Sequence, residues 1–247
     1  GGRMTEAAPS VAAQYADGRY ADFLEANADT FKFSLHHTVL AHAEAALALA
    51  TTTRALDLGC GSAWLSRRLM RRRPDLCVTA VDISPSMLER AKNHPDGIPP
   101  GLELSCADVR SNLNLGTFDL VVSGFMLCHM TTRAELLGIF QTVCTALKPG
   151  ALTVHGLIPI QHDKGPADNP PIRRVPLPIP DGPPCVVWDA DWSREALQTC
   201  AEEAGLVDVR IVEAEVSEEG LDKYGVEHWQ RVKEEMGCYH VLVARAP

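Results

Sequence analysis

No two of the eight cysteines (60, 77, 106, 128, 144, 185, 200 and 238) stand at Cys-x-x-Cys spacing, and several fall inside apolar segments. That pattern argues against a zinc site or a disulfide framework and reads as reduced cysteines used as small core residues. Basic charge is scarce too: 23 Lys and Arg stand against 32 Asp and Glu, for a formal net charge of −9. A phosphate backbone selects a concentrated cationic face, so no nucleic-acid partner is expected. The one dense basic run, Arg67-Arg68 with Arg71-Arg72-Arg73, closes a predicted helix, where cations complement the dipole and face water. Long apolar runs are missing. The most apolar helical stretch, Leu40 to Ala50, is short and carries His42 and Glu44, so no membrane span is expected. There is no signal-like segment, Gly1-Gly2-Arg3 before Met4 reads as an expression scar, and the expected location is cytoplasmic. Internal repeats are absent. Aromatics make up only 6%, yet hydrophobic residues reach 46%, enough to core one large α/β domain in 247 residues.

What is present is an alternation of strand and helix signals. Leu35, Val39, Ala43 and Leu47 recur at helical spacing over residues 35–50, and Thr51-Thr52-Thr53 then precedes a strand at 54–58. A helix from Ala63 to Arg73 stops at Pro74, and a second strand, Leu76 to Val81, ends at Asp82. Ser84-Pro85 opens a helix to Asn93, and a third strand runs from Leu102 to Cys106. Phe118 to Ser123 reads as a fourth strand, Thr131-Thr132 to Leu147 as a capped helix, and Ala151 to Leu157 as a fifth strand. A helix from Trp192 to Ala204 and strands at Val207–Val216 and Tyr239–Ala244 complete the series. Nearly all-apolar strands alternating with helices predict an α/β fold: a doubly wound, mostly parallel, seven-stranded sheet with helices on both faces. The expected organisation is an N-terminal helical lid or substrate segment, 1–50, followed by a core over 51–247. Two substrate-side insertions interrupt that core, a proline-rich irregular loop at about 158–191 and a helical stretch at about 217–237.

The run Asp57-Leu58-Gly59-Cys60-Gly61 ends a strand in a carboxylate, turns through two glycines and opens a helix. That order sets bare backbone N–H groups and a helix N-terminus beside an acid, which is a nucleotide-shaped pocket. A nicotinamide dehydrogenase is disfavoured, because Trp64 stands where Gly-x-Gly-x-x-Gly has its third glycine.

Together with Val81-Asp82-Ile83-Ser84, Met87-Leu88, Cys106-Ala107-Asp108-Val109, Phe118 to Ser123 with Leu127-Cys128-His129, and Leu147 to Leu152, this run resembles the class I (Rossmann-like) S-adenosylmethionine-dependent methyltransferases of small-molecule type. The resemblance covers about residues 54–157 and implies S-adenosyl-L-methionine as cofactor. On that basis Asp82 takes the ribose hydroxyls, Ile83 packs on the adenine, and Met87 and Ser123 fall within the matching motifs as further cofactor positions. Asp108 accepts from the adenine amino group, and the Val109 N–H donates to a ring nitrogen. Gly59 to Gly61 lie against the methionine portion, with Asp57 near its ammonium. The turn Ser123-Gly124-Phe125 is not the Asn-Pro-Pro-Tyr-like turn of amino methylation on bases, Pro184-Cys185 falls in the wrong place for a cytosine-attacking thiolate, and no acidic pair after strand four supports magnesium; no metal is expected.

Methyl transfer from a sulfonium needs a dry site, alignment and, for some acceptors, a base near working pH, which histidine fits. His129 after strand four ranks first and His155 on strand five second; His129 can instead cap the next helix and His155 can be a satisfied core residue. Tyr15 to Tyr20, with Phe23, Phe31, Phe33, His36 and His37, is similar to the lid of small-molecule members, with Tyr15 or Tyr20 at the donor's carboxylate. Trp188, Trp192, Tyr224, His228 and Trp229 are candidates for an aromatic acceptor pocket. The expected function is methyl transfer to an oxygen or nitrogen of a small organic acceptor, in specialised metabolism, by a monomer or homodimer. Open alternatives are a non-catalytic donor-binding partner, a methyltransferase fold repurposed for another reaction, and a protein or RNA methyltransferase.

Overall fold

The computed structural model describes residues 9–49, 51–111, 113, 115–165, 168–180 and 182–247. The stretch read as an expression scar, Ala50 and Pro166 lie outside the described residues. Four helices come first: α1 (Val11–Gln14), α2 (Arg19–Ala26), α3 (Ala28–Phe33) and α4 (Leu35–Leu47). Then follow β1 (Arg54–Leu58), α5 (Trp64–Arg72), β2 (Cys77–Asp82), α6 (Pro85–Lys92), β3 (Leu102–Cys106), β4 (Phe118–Gly124), α7 (Arg133–Ala146) and β5 (Leu147–Leu157). A hairpin of β6 (Ile172–Leu177) and β7 (Cys185–Ala190) precedes α8 (Arg194–Glu203), β8 (Val207–Glu213), α9 (Glu218–Tyr224), α10 (Val226–Met236) and β9 (His240–Arg245).

The main sheet has the order β3-β2-β1-β4-β5-β9-β8, with β9 running against both its neighbours and the other pairings parallel. This is the expected seven-stranded, mostly parallel sheet. Side chains alternate across each strand, so one sequence supplies two cores. Ala55, Leu120, Val122, Leu152 and Val154 pack with α4, α5 and α6. Leu56, Leu58, Val121 and Leu242 pack with α7 and α8 on the opposite face. The helices start where the hydroxyl residues stand. Ser84 accepts the Met87 N–H at 3.4 Å with Pro85 next to it, Thr132 and Glu135 close a reciprocal capping box, and Ser193 accepts the Ala196 N–H at 3.2 Å. Such a cap contributes about 1 kcal/mol.

Two regions depart from the sequence expectation. Residues 158–191 are not irregular throughout, because Ile172–Leu177 pairs antiparallel with Cys185–Ala190. The prolines hide a period-two pattern, and Pro176 is tolerated because both strands of a two-stranded ribbon are edges. Within the segment 1–50, α4 lies against β4, β5 and β9 and belongs to the cover of the sheet. The part before it supplies side chains to the cleft, Tyr15, Tyr20 and Phe31 among them, and α4 adds His36.

Candidate active site

The sheet's central strands end at an open cleft. Its floor is the turn after β1, where Gly59 (φ +68°) and Gly61 (φ +54°) take the left-handed conformation that glycine adopts without strain. A Cβ on Gly59 would come within 2.7 Å of Met126 Cγ, so the position has neither the backbone freedom nor the space for a side chain. The Gly59 and Cys60 N–H groups donate to the Val81 carbonyl at 2.8 and 3.0 Å, and the Gly61 N–H donates to Asp82 Oδ2 at 2.7 Å. Asp82 Oδ1 accepts the Ser84 N–H at 2.8 Å. The acid ending β2 therefore braces the glycine turn, with its remaining lone pairs turned to the cleft.

Asp57 is 1% exposed and accepts the Ser66 hydroxyl at 2.6 Å, while its Oδ1 has no partner although it lies in the cleft wall. Burial pushes its carboxyl up to about 7, against the Ser66 bond. An unsatisfied buried carboxylate oxygen costs free energy and is relieved by a cationic or N–H-bearing ligand. Asp108, at the far end, is held by Arg110 through a 2.7 Å ion pair, which keeps its carboxyl below the usual range. Its Arg110 partner had no signal in the sequence beyond adjacency.

A second cavity lies beyond the first, and the two share Tyr15, Tyr20, Phe31, Phe125 and His129 as a common wall. Its other side is the hairpin. Along β6 and β7 the more buried positions alternate, so the pairs Leu177–Cys185, Val175–Val187 and Arg173–Asp189 stand on one face. Arg173, Val175, Leu177, Val187 and Asp189 line the cavity. The face grades from apolar at one end to an opposite-charge pair at the other, and the polar end meets the common wall. There Cys128 Sγ, a ring nitrogen of His129 and a carboxylate oxygen of Asp189 lie within 4.8 Å of one another. This trio does not suit a metal ion. The Cys128 thiol donates to the Phe125 carbonyl at 2.9 Å and is pushed up by burial, and His129 Nε2 is engaged by the Tyr15 hydroxyl at 2.5 Å.

Of the residues singled out from sequence, Tyr15, Tyr20, Asp57, Gly59, Gly61, Asp82, Ile83, Met87, Asp108, Val109 and His129 are brought together around the first cavity. Ser123 and His155 are not. His155 is fully buried on the α7 face of β5, its Nδ1 bonded to Ser123 Oγ and its Nε2 to Thr153 Oγ1, both at 2.8 Å, and its ring against Phe140. Burial holds it down to about 4, as a satisfied core residue. His129 is half-buried, and the same effect, with Arg110 nearby, holds it down to about 4.

The five aromatic residues proposed for an acceptor pocket line neither cavity. The Trp192 indole N–H donates to the Met130 carbonyl, the Trp229 indole N–H to the Gly220 carbonyl, and the Tyr224 hydroxyl bonds Asp29 with His228 stacked on its ring. Trp188 sits on the outer face of the hairpin. The aromatic rings that do line the second cavity are Tyr15, Tyr20, Phe23, Phe31, Phe125 and Tyr239. Sequence reading missed Arg173 and Asp189 there, because they meet only through the pairing of β6 with β7.

Comparison with known proteins agrees with this architecture. Residues 55–150 match a family model described as "Methyltransferase domain". A malonyl-[acyl-carrier protein] O-methyltransferase of Magnetococcus marinus is 34% identical over 99 residues, which is 40% of this chain and 36% of that protein. The chain thus matches little more than a third of that relative's length. Among solved structures, the N-methyltransferase NodS of Bradyrhizobium japonicum, bound to S-adenosyl-L-homocysteine, superposes with a TM-score of 0.55 at 16% identity, over 86% of this chain and 85% of that one. The [4+2]-cyclase SpnF superposes with a TM-score of 0.58 at 17% identity, over 98% and 99%. Residues 55–150 match a methyltransferase-domain family model, and the sheet that carries them has the Rossmann-like fold shared with NodS and SpnF.

Proposed function

We propose that the chain is an enzyme that transfers a methyl group from S-adenosyl-L-methionine to an oxygen or nitrogen of a small organic acceptor. The observation that carries this reading is the pair of cavities divided by one aromatic wall: the first has the nucleotide-type floor, and the second is lined mostly by apolar and aromatic side chains. In the first, Asp82 takes the ribose hydroxyls, Ile83 and Met87 flank the adenine, and Asp108 with the Val109 N–H meets its edge. Gly59 and Gly61 let the methionine portion approach the backbone, and the unpartnered Oδ1 of Asp57 takes its ammonium. Tyr15 and Tyr20 cover that end.

The bound donor supplies an electrophilic methyl group on a sulfonium. The protein's part is to exclude water, point the methyl group through the wall and align the acceptor on the far side. The acidic composition supports a small acceptor over RNA. A second reading is favoured by SpnF, a cyclase with this fold: a domain that holds the donor but runs another reaction. Calorimetry with S-adenosyl-L-homocysteine tests the donor site. Methyl-labelled donor with a panel of phenols, amines and carboxylic acids then separates the readings. Binding without labelled product from any acceptor supports the second, and absence of binding rejects both.

A further inference from the structure

We propose that the second cavity takes a largely apolar, phenol-like acceptor whose hydroxyl lies at the Arg173–Asp189 end, and that Asp189 accepts the hydroxyl proton during methyl transfer; this rests on the donor reading above. The geometry of the hairpin leads there. Val175, Val187 and Leu177 give the cavity an apolar lining together with the rings of Tyr20, Phe23 and Phe31, which suits a flat hydrophobic body. The polar end meets the wall at His129, which lies with Cys128 and Asp189 in a group within 4.8 Å, so the attacked atom belongs there. Arg173 and Asp189 are direct cross-strand partners. Arg173 has one ion pair, Nε to Asp191 at 3.4 Å, and its Nε makes no hydrogen bond.

This pair discriminates among acceptors. A protonated amine would sit beside the Arg173 cation, and a carboxylate would meet the Asp189 anion and needs no base. A neutral hydroxyl suits both: it donates to Asp189, and the charge that develops on its oxygen is stabilised by Arg173. The step balances. An oxygen lone pair forms the new C–O bond, the C–S bond breaks with its electron pair going to sulfur, and the O–H proton passes to the Asp189 carboxylate.

Asp189 is better suited than His129 to receive that proton. His129 Nε2 is already engaged by the Tyr15 hydroxyl, and burial makes the ring a weak base. Asp189 is buried within the cavity wall, which pushes its carboxyl up to about 6 against the influence of Cys128 and Arg173. It is ionised at neutral pH yet more basic than an ordinary carboxylate. The groups facing it are Arg173 from β6, Cys128 and His129 from the turn after β4, and Tyr15 and Tyr20 from the N-terminal segment, while Glu235 of α10 lines the same cavity.

The test compares the wild type with Asp189→Asn and Asp189→Glu on a series from unsubstituted phenol to 4-nitrophenol, whose hydroxyl ionises near neutral pH and depends far less on a base. Asp189→Asn is expected to lose about 100-fold or more in kcat on phenol, the usual scale for general-base catalysis, and under 10-fold on 4-nitrophenol. The acid limb of the wild-type pH profile near 6 should vanish in Asp189→Asn and return, shifted, in Asp189→Glu. Affinity for S-adenosyl-L-homocysteine should match the wild type in both variants, which also reports that they fold. An equal loss across the series, an unchanged pH profile, or methylation of amines or carboxylic acids with no phenol accepted overturns the inference and leaves the donor site standing. Failure of the wild type to bind S-adenosyl-L-homocysteine overturns both.

Discussion

Replacing Asp82 by asparagine tests the donor site at the residue on which most of it depends. The carboxylate already accepts the Gly61 N–H at 2.7 Å and the Ser84 N–H at 2.8 Å, one on each oxygen. Each oxygen keeps a lone pair for a ribose hydroxyl in the proposed pose. Asparagine retains one carbonyl oxygen and turns an NH₂ group toward either Gly61 or Ser84, so one side of the site changes from acceptor to donor. At least one charge-assisted bond to the ribose is lost, and such bonds contribute about 1.5–3 kcal/mol, or roughly 10- to 150-fold in Kd. The same change strains the glycine turn, so thermal unfolding is measured beside affinity. Isothermal calorimetry with S-adenosyl-L-homocysteine should show the weaker binding with little change in kcat at saturating donor. Unaltered affinity in a folded Asp82→Asn protein refutes the ribose assignment, and with it the placing of the adenosine along β2 and β3.

Gly59→Ala meets Met126 at 2.7 Å with φ at +68°, and the left-handed cost and overpacking together should destabilise by about 2–5 kcal/mol, lowering Tm by roughly 5–15 °C; a Tm within a degree of wild type contradicts this. Tyr15→Phe and His129→Ala should couple by about 1 kcal/mol in a double-mutant cycle of stability, because each removes the same 2.5 Å bond, and strict additivity would dismiss it. Asp57, with its carboxyl raised from 3.8 to about 7, contributes stability that is complete below about pH 4 and is lost as pH rises through 7. Asp57→Asn should therefore flatten the decline in Tm between those limits, and parallel curves for the two proteins would show that the buried acid is not its source.

The residues that gather around the first cavity, the proposed donor site, were legible because their determinants are local. Gly59, Gly61, Asp82 and Asp108 all sit at strand ends, where a carboxylate after an apolar run has one face of the sheet's edge available to it. The acceptor half was not, because it comes from pairing. Asp189 faces the cavity only through its register with Arg173 across the hairpin, and no local pattern in a proline-rich stretch announces which residues will meet. His155 shows a different blind spot. In β5, Leu152 and Val154 pack under α4 to α6 while Thr153 and His155 turn to α7. A strand covered on both sides carries no polarity contrast to say which face looks at a ligand. The aromatic count misled in the same way, since Trp192 and Trp229 are spent on backbone carbonyls of neighbouring elements.

The partition between the two chambers is made of movable rings, Tyr15, Tyr20, Phe31 and Phe125, with His129 among them, and not of backbone. Any rotation that fits one occupant also resizes the room next door. Each guest must therefore sense the other through a coupling that is equal in both directions. In the proposed reaction that reciprocity is readable as a donor affinity that changes when acceptor is bound, and an acceptor affinity that changes by the same factor when donor is bound.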